Sequence, residues 1–135
     1  MLIVNLFTSA HDKMRIIQVS GAGVAIVNGL YHSRSSQIVP AGFANTCRKM
    51  GWPSEPTWKR LSVPSVDWFE HENGSYIYLH QEGQWWIDEP TGGGVYLTNN
   101  NMEHPDIPPT NGWKPLAGAV EPLPQLRIVE EKSNS

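Results

Sequence analysis

One cysteine, Cys47, is the whole thiol content of this 135-residue chain, so no disulfide can close within it. Charge is scarce as well: 17% of the residues are Asp, Glu, Lys or Arg, against roughly 25% in an ordinary globular domain. The basic residues are scattered, and their densest spots are the pairs Arg48-Lys49 and Lys59-Arg60. With a net charge of −3, this is not the basic stripe that a nucleic-acid binder presents. No apolar run approaches the roughly 20 residues needed to span a bilayer. Met1 to Phe7 is apolar for only a few residues and lacks a basic flank, so no secretory signal is expected. The expectation is a soluble, cytoplasmic protein that binds neither nucleic acid nor membrane. Without a secretory route, Asn73-Gly74-Ser75 reads as a turn and not as a glycosylation site.

Long helices are also missing. Twelve Gly and eleven Pro cut the chain into short segments, and no heptads or clear amphipathic helices remain between them. What is abundant is tryptophan. Six indoles can supply a core that Leu and Ile would otherwise fill. The chain length suits a single domain, taken as 1–129 with a frayed tail at 130–135.

Short β-branched runs at 2–7 and 15–20 read as strands. Asn28-Gly29, between Ile26-Val27 and Leu30-Tyr31, is a hairpin signal. A Ser-rich loop follows over 33–42. Residues 43–50 favour a short strand over a helix. Pro53 and Pro56 bar a helix from the connection 51–56, and 57–63 can form another strand. Gly92 to Gly94 leads into a strand at 95–98, and 99–112 is an extended loop. Trp113 with Pro115-Leu116 folds back on the sheet, and 126–129 is a last strand. The expected fold is all-β: a small antiparallel barrel or sandwich of short strands.

Its centre is a three-stranded meander over 66–88, divided by turns at Asn73-Gly74 and Glu82-Gly83. If both turns are two-residue loops, Asp67 faces His80, Phe69 faces Tyr78, and His71 faces Tyr76. His80 then faces Trp85 across the second hairpin. Strand alternation gathers these seven residues on one half-wet face and places Val66, Trp68, Ile77, Leu79 and Trp86 on the core face. The row of Phe69, Tyr76, Tyr78 and Trp85, edged by Asp67, His71 and His80, could stack a sugar, a base or a partner's side chain. A three-residue loop with a Gly bulge at Glu82-Gly83 would instead exchange Trp85 and Trp86 between faces. The two-residue register is preferred because it leaves the core face uncharged.

Other constellations are thin. Gly21-Ala22-Gly23 has Ile26 where a dinucleotide fingerprint needs its third glycine, and no βαβ unit follows. Gly92-Gly93-Gly94 lacks the Lys-Ser/Thr of a phosphate loop. The five histidines show no metal-ligand spacing, so neither metal nor cofactor is expected. Cys47 beside Arg48 and Lys49, or Asp67 opposite His80, could serve a small enzyme. As a small apolar filler and a cross-strand hydrogen bond, they need no catalytic role.

The chain resembles a small Trp-rich β module found in multidomain proteins of algae and other protists. The resemblance rests on Val19-Ser20-Gly21-Ala22-Gly23, Val27-Asn28-Gly29-Leu30-Tyr31, and Tyr76-Ile77-Tyr78 with Gly83-Gln84-Trp85-Trp86-Ile87. Gly94-Val95-Tyr96 and Gly112-Trp113-Lys114-Pro115 complete it. It spans about residues 15–120, and the stretch from Gly51 to Pro64 is longer than the module's. These motifs are turns and core aromatics, so the resemblance implies a fold and carries over no functional residue. The functional expectation is a non-catalytic interaction module that binds a protein or a carbohydrate-like ligand through the aromatic sheet face. The alternatives are a structural subunit of an assembly, or a small enzyme using Cys47 or Asp67 with His80.

Overall fold

The computed structural model describes residues 14–116 and 118–132. The strand expected at 2–7 lies outside them. The fold is all-β, and the described residues form eight antiparallel strands in one sheet. These are β1 (Met14–Ser20), β2 (Gly29–Arg34), β3 (Trp68–His71), β4 (Tyr76–His80), β5 (Gln84–Asp88), β6 (Gly94–Asn99), β7 (Lys114–Pro115) and β8 (Gln125–Lys132). The sheet order is β7-β6-β5-β4-β3-β2-β1-β8, an up-and-down run in which only β8 leaves chain order to pair with β1.

The sheet curls into a half-barrel around its larger core. Ile17, Val19, Tyr31, Phe69, Ile77, Leu79, Trp85, Ile87, Tyr96 and Leu126 share one buried cluster, although β6 and β8 lie far apart in sheet order. A flat sheet could not bring them together. Tyr96 marks the closure: its hydroxyl accepts from the Val24 N–H (3.0 Å) and donates to the Val120 carbonyl (2.7 Å). Trp113 enters the same core, with Nε1 donating to the Pro109 carbonyl at 2.9 Å.

The central meander forms as expected, but its register differs. Phe69 pairs with Ile77 and Leu79 with Trp85, each one residue away from the two-residue-loop pairing. Both turns hold three residues and end on a glycine of positive φ, Gly74 (97°) and Gly83 (88°). A non-glycine residue rarely adopts that conformation, and it is what closes a three-residue hairpin. Each turn opens on a histidine. The His71 Nδ1 accepts from the Asn73 N–H (3.0 Å), and the His80 Nδ1 accepts from the Glu82 N–H (3.1 Å).

Two helices occupy the β2–β3 connection, where strands were expected over 43–50 and 57–63: α1 (Ala41–Met50) and α2 (Ser54–Leu61). The prolines do not bar α2, because Pro53 is its N-cap and Pro56 sits in its first turn, where no backbone N–H needs an intrahelical partner. Gly51 ends α1 in the left-handed conformation, and the Trp52 N–H returns to the Cys47 carbonyl at 2.8 Å. The Asn28-Gly29 hairpin signal also fails. Val19 pairs with Gly29, so residues 21–28 form a longer loop containing one 3-10 turn, Ala25–Val27. The Asn28 side chain ties that loop instead, accepting from the Ala22 N–H (2.9 Å) and donating to the Ala22 carbonyl (3.1 Å). At the other end, β8 continues through Lys132, beyond the point where fraying was expected to begin.

Candidate functional site

The shift of register divides the seven residues expected on one face. Phe69 and Trp85 point into the half-barrel, both with no exposure, and their rings lie 6.3 Å apart. Tyr76, Tyr78 and His80 lie on the opposite face with Trp68 and Trp86. His71 is half-buried, its ring edge-on to Tyr31 at 5.2 Å. Asp67, just ahead of β3, is buried. His80 pairs with Gln84 on one side and with Ser62 on the other, and this register no longer sets Asp67 opposite it.

The Tyr76–Tyr78 face is aromatic, as expected, but it is covered. Phe43 and Cys47 of α1 and Trp58 of α2 close over Trp68, Tyr76 and Tyr78. The rings form a continuous array: Phe43–Trp58 at 4.9 Å, Trp58–Tyr78 at 5.3 Å, Tyr76–Tyr78 at 5.9 Å and His80–Trp86 at 5.9 Å. Two indoles also anchor the loop before α1. Trp58 Nε1 donates to the Ser36 carbonyl (2.9 Å), and Trp68 Nε1 donates to the Ser35 and Ile38 carbonyls (3.0 and 2.9 Å). On its far side α1 is held by Asn45 Nδ2 to the Thr91 carbonyl (2.9 Å) and Thr46 Oγ1 to the Gly92 carbonyl (3.2 Å). α1 is thus tied to the β5–β6 connection, and α2 to the loop that precedes α1.

Beneath α1 lies Asp88, buried, with Oδ2 accepting from the Tyr76 hydroxyl at 2.9 Å. Its Oδ1 and the nearby Trp86 Nε1 are buried without hydrogen-bond partners among the described residues. Burial raises the Asp88 pKa to about 7; the Tyr76 hydrogen bond acts against that rise, and the Glu89 charge adds to it. Burial likewise drives Tyr76 and Tyr78 far above the ordinary tyrosine range, with the Asp88 charge contributing. Cys47, 1% exposed, sits in this same cluster. Among the described residues no group of three or more His, Cys, Asp or Glu could hold a metal ion, and no helix is long and apolar enough to cross a membrane.

What the hairpin of α1 and α2 presents outward is different. Trp52, in its bend, is 46% exposed, whereas Trp58, Trp68, Trp85 and Trp113 are at most 2% exposed. Trp52, Pro53, Pro56, Thr57 and Arg60 line an open groove of about 320 Å³. Met50, Arg48, Lys49, Lys59 and Arg60 of the same hairpin are exposed as well. Residues 41–61 hold four of the chain's ten Lys and Arg and one of its thirteen acids, Glu55. The segment therefore carries +3 within a chain of net −3. A second groove, lined by His32, Arg34, Glu70, His71, Glu72 and Gly74, has its central charges matched internally by the Arg34–Glu70 pair at 2.9 Å.

The two basic pairs and the Gly51-Trp52-Pro53 corner were visible in the sequence. The missed signal was helical: Phe43 and Cys47 stand four apart, with Arg48-Lys49 and then Gly51 after them, which is a helix C-terminus pattern. Nothing in the sequence distinguished Asp88. Compared with known proteins, the chain matches no family model, no curated protein and no solved structure.

Proposed function

We propose that this chain is a non-catalytic interaction module that holds a protein partner through the exposed end of the α1–α2 hairpin. This keeps the binding role expected from the sequence and moves its seat from the sheet face to the helices that cover it. Trp52 is the observation that carries the reading. Four of the other indoles are buried to within 2%, while Trp52 stays half in water inside a groove that also holds Arg60. Burying so large a ring would be worth about 2 kcal/mol or more, so its exposure forgoes stabilisation that a partner's surface can recover. Trp and Arg are also the residue types most enriched among interface hot spots.

The anchoring supports the same reading. Helices tied by side-chain hydrogen bonds to neighbouring loops present a pre-organised surface, which lowers the ordering cost of binding. We place the chain with the Trp-rich β module of algal and protist proteins. That module's shared turns and core aromatics would serve as scaffold, and the longer stretch from Gly51 to Pro64 would supply the variable, binding part. The test is a comparative pull-down with wild type and Trp52→Ala at matched thermal stability. At least one partner should be recovered by wild type and lost by the variant. If no partner depends on Trp52, the hairpin is not the docking element.

A further inference from the structure

We infer that the partner's docking segment is an acidic, extended peptide carrying one apolar side chain. This deepens the hairpin reading and rests on it. Arg15 is paired with Asp106 (3.5 Å) and Glu131 (2.7 Å), Arg34 with Glu70 (2.9 Å), and Lys132 with Glu130 (3.3 Å). Among the described residues, none of Arg48, Lys49, Lys59 and Arg60 has an ion pair. Arg48 meets only the neutral Asn45 Oδ1, at 3.1 Å. Two sheet cations, Lys114 and Arg127, also have no ion pair among the described residues, but they stand singly. The hairpin gathers four on one short segment beside a single acid, Glu55. The complementary ligand must therefore bring the negative charge.

The groove sets the rest. It is lined by Trp52, Pro53, Pro56, Thr57 and Arg60, an aromatic residue and two prolines beside one cation. A concavity of about 320 Å³ admits one apolar side chain against the indole, while a carboxylate one or two residues along reaches Arg60. A short segment is favoured over a long polyanion or a membrane. Outside residues 41–61 the chain carries −6, so a nucleic acid or anionic bilayer reaching past the hairpin would meet repulsion. A peptide that fits the hairpin alone avoids it.

The test uses the full chain and an array of peptides of about twelve residues, in which Asp and Glu flank a central Leu, Phe or Pro, beside Asn/Gln counterparts. Vesicles with phosphatidylserine and a single-stranded oligonucleotide are run in parallel. Acidic peptides should bind at least about tenfold more tightly than their amide counterparts and lose that margin as salt rises. They should also shift the Trp52 indole N–H resonance. Arg48→Gln with Arg60→Gln should abolish the preference while the thermal midpoint stays unchanged. Amide peptides binding as well as acidic ones, with the Trp52 resonance still shifted, would overturn the acidic partner and leave the hairpin reading standing. Peptide binding that neither shifts Trp52 nor depends on it would sink both. Binding of vesicles or oligonucleotide without acidic peptide, or of no probe at all, also overturns the inference.

Discussion

The Tyr76 hydroxyl donates to Asp88 Oδ2 at 2.9 Å, and the other oxygen of that buried carboxyl has no hydrogen-bond partner among the described residues. A half-satisfied carboxyl under a docked helix makes stability depend on pH. Its native pKa of about 7 lies above the ordinary 3.8, so between those values the folded chain holds a proton that the unfolded chain has released. The stabilisation is complete below about pH 4 and is lost as pH rises towards 7, by up to about 1.4 kcal/mol per pH unit. Urea denaturation from pH 4 to 8 should show this decline, and Asp88→Asn should flatten it. An equal slope in the variant would assign the titration to another group.

Tyr76→Phe removes the one hydrogen bond that the Asp88 carboxyl makes among the described residues while keeping the ring within the array. The variant should lose about 1–3 kcal/mol. The Asp88 pKa should move further up, because the lost bond was lowering it. Carboxyl-carbon NMR of Asp88 against pH would read that displacement directly.

Gly42, in the first turn of α1, faces the β5–β6 connection. A Cβ there would stand 2.6 Å from the Pro90 carbonyl oxygen and 2.8 Å from Tyr76 Cε1. Backbone on one side and a packed ring on the other leave no room to yield. Gly42→Ala should destabilise by about 1–3 kcal/mol in chemical denaturation, although alanine favours a helix. A stabilised variant would mean that α1 does not dock so closely.

Trp85 and Trp52 should behave in opposite ways. Trp85 is fully buried, with Nε1 bonded to Asn100 Oδ1 at 2.9 Å, so Trp85→Ala should cost about 3–5 kcal/mol. Trp52→Ala should change stability by about 0.5 kcal/mol or less, since its ring lies half in water. Thermal midpoints of the two variants would separate them at once.

Much of the architecture was legible along the chain. Alternation and glycine punctuation locate the meander strands at their observed places, and the stretch of Trp113 with Pro115-Leu116 does fold back, Pro115 pairing with Tyr96 and the Leu116 N–H bonding to the Val95 carbonyl. The faces were not legible. Strand side chains alternate with a period of two, so one extra residue in each turn, set by Gly74 and Gly83, sends Trp85 inward and Trp86 outward. The helices were obscured because prolines that would break a helix interior are tolerated in a first turn, which cannot be told from composition.

What the sequence determined by itself is therefore local: short strands, tight glycine turns, an aromatic core and a chain able to stand without disulfides. Which rings meet water was decided only in three dimensions. Exposure depends on what packs over a face, and here that is a helical hairpin more than fifteen residues upstream of Tyr78 in the chain. That packing buries Tyr76 and Tyr78, and leaves Trp52 outside.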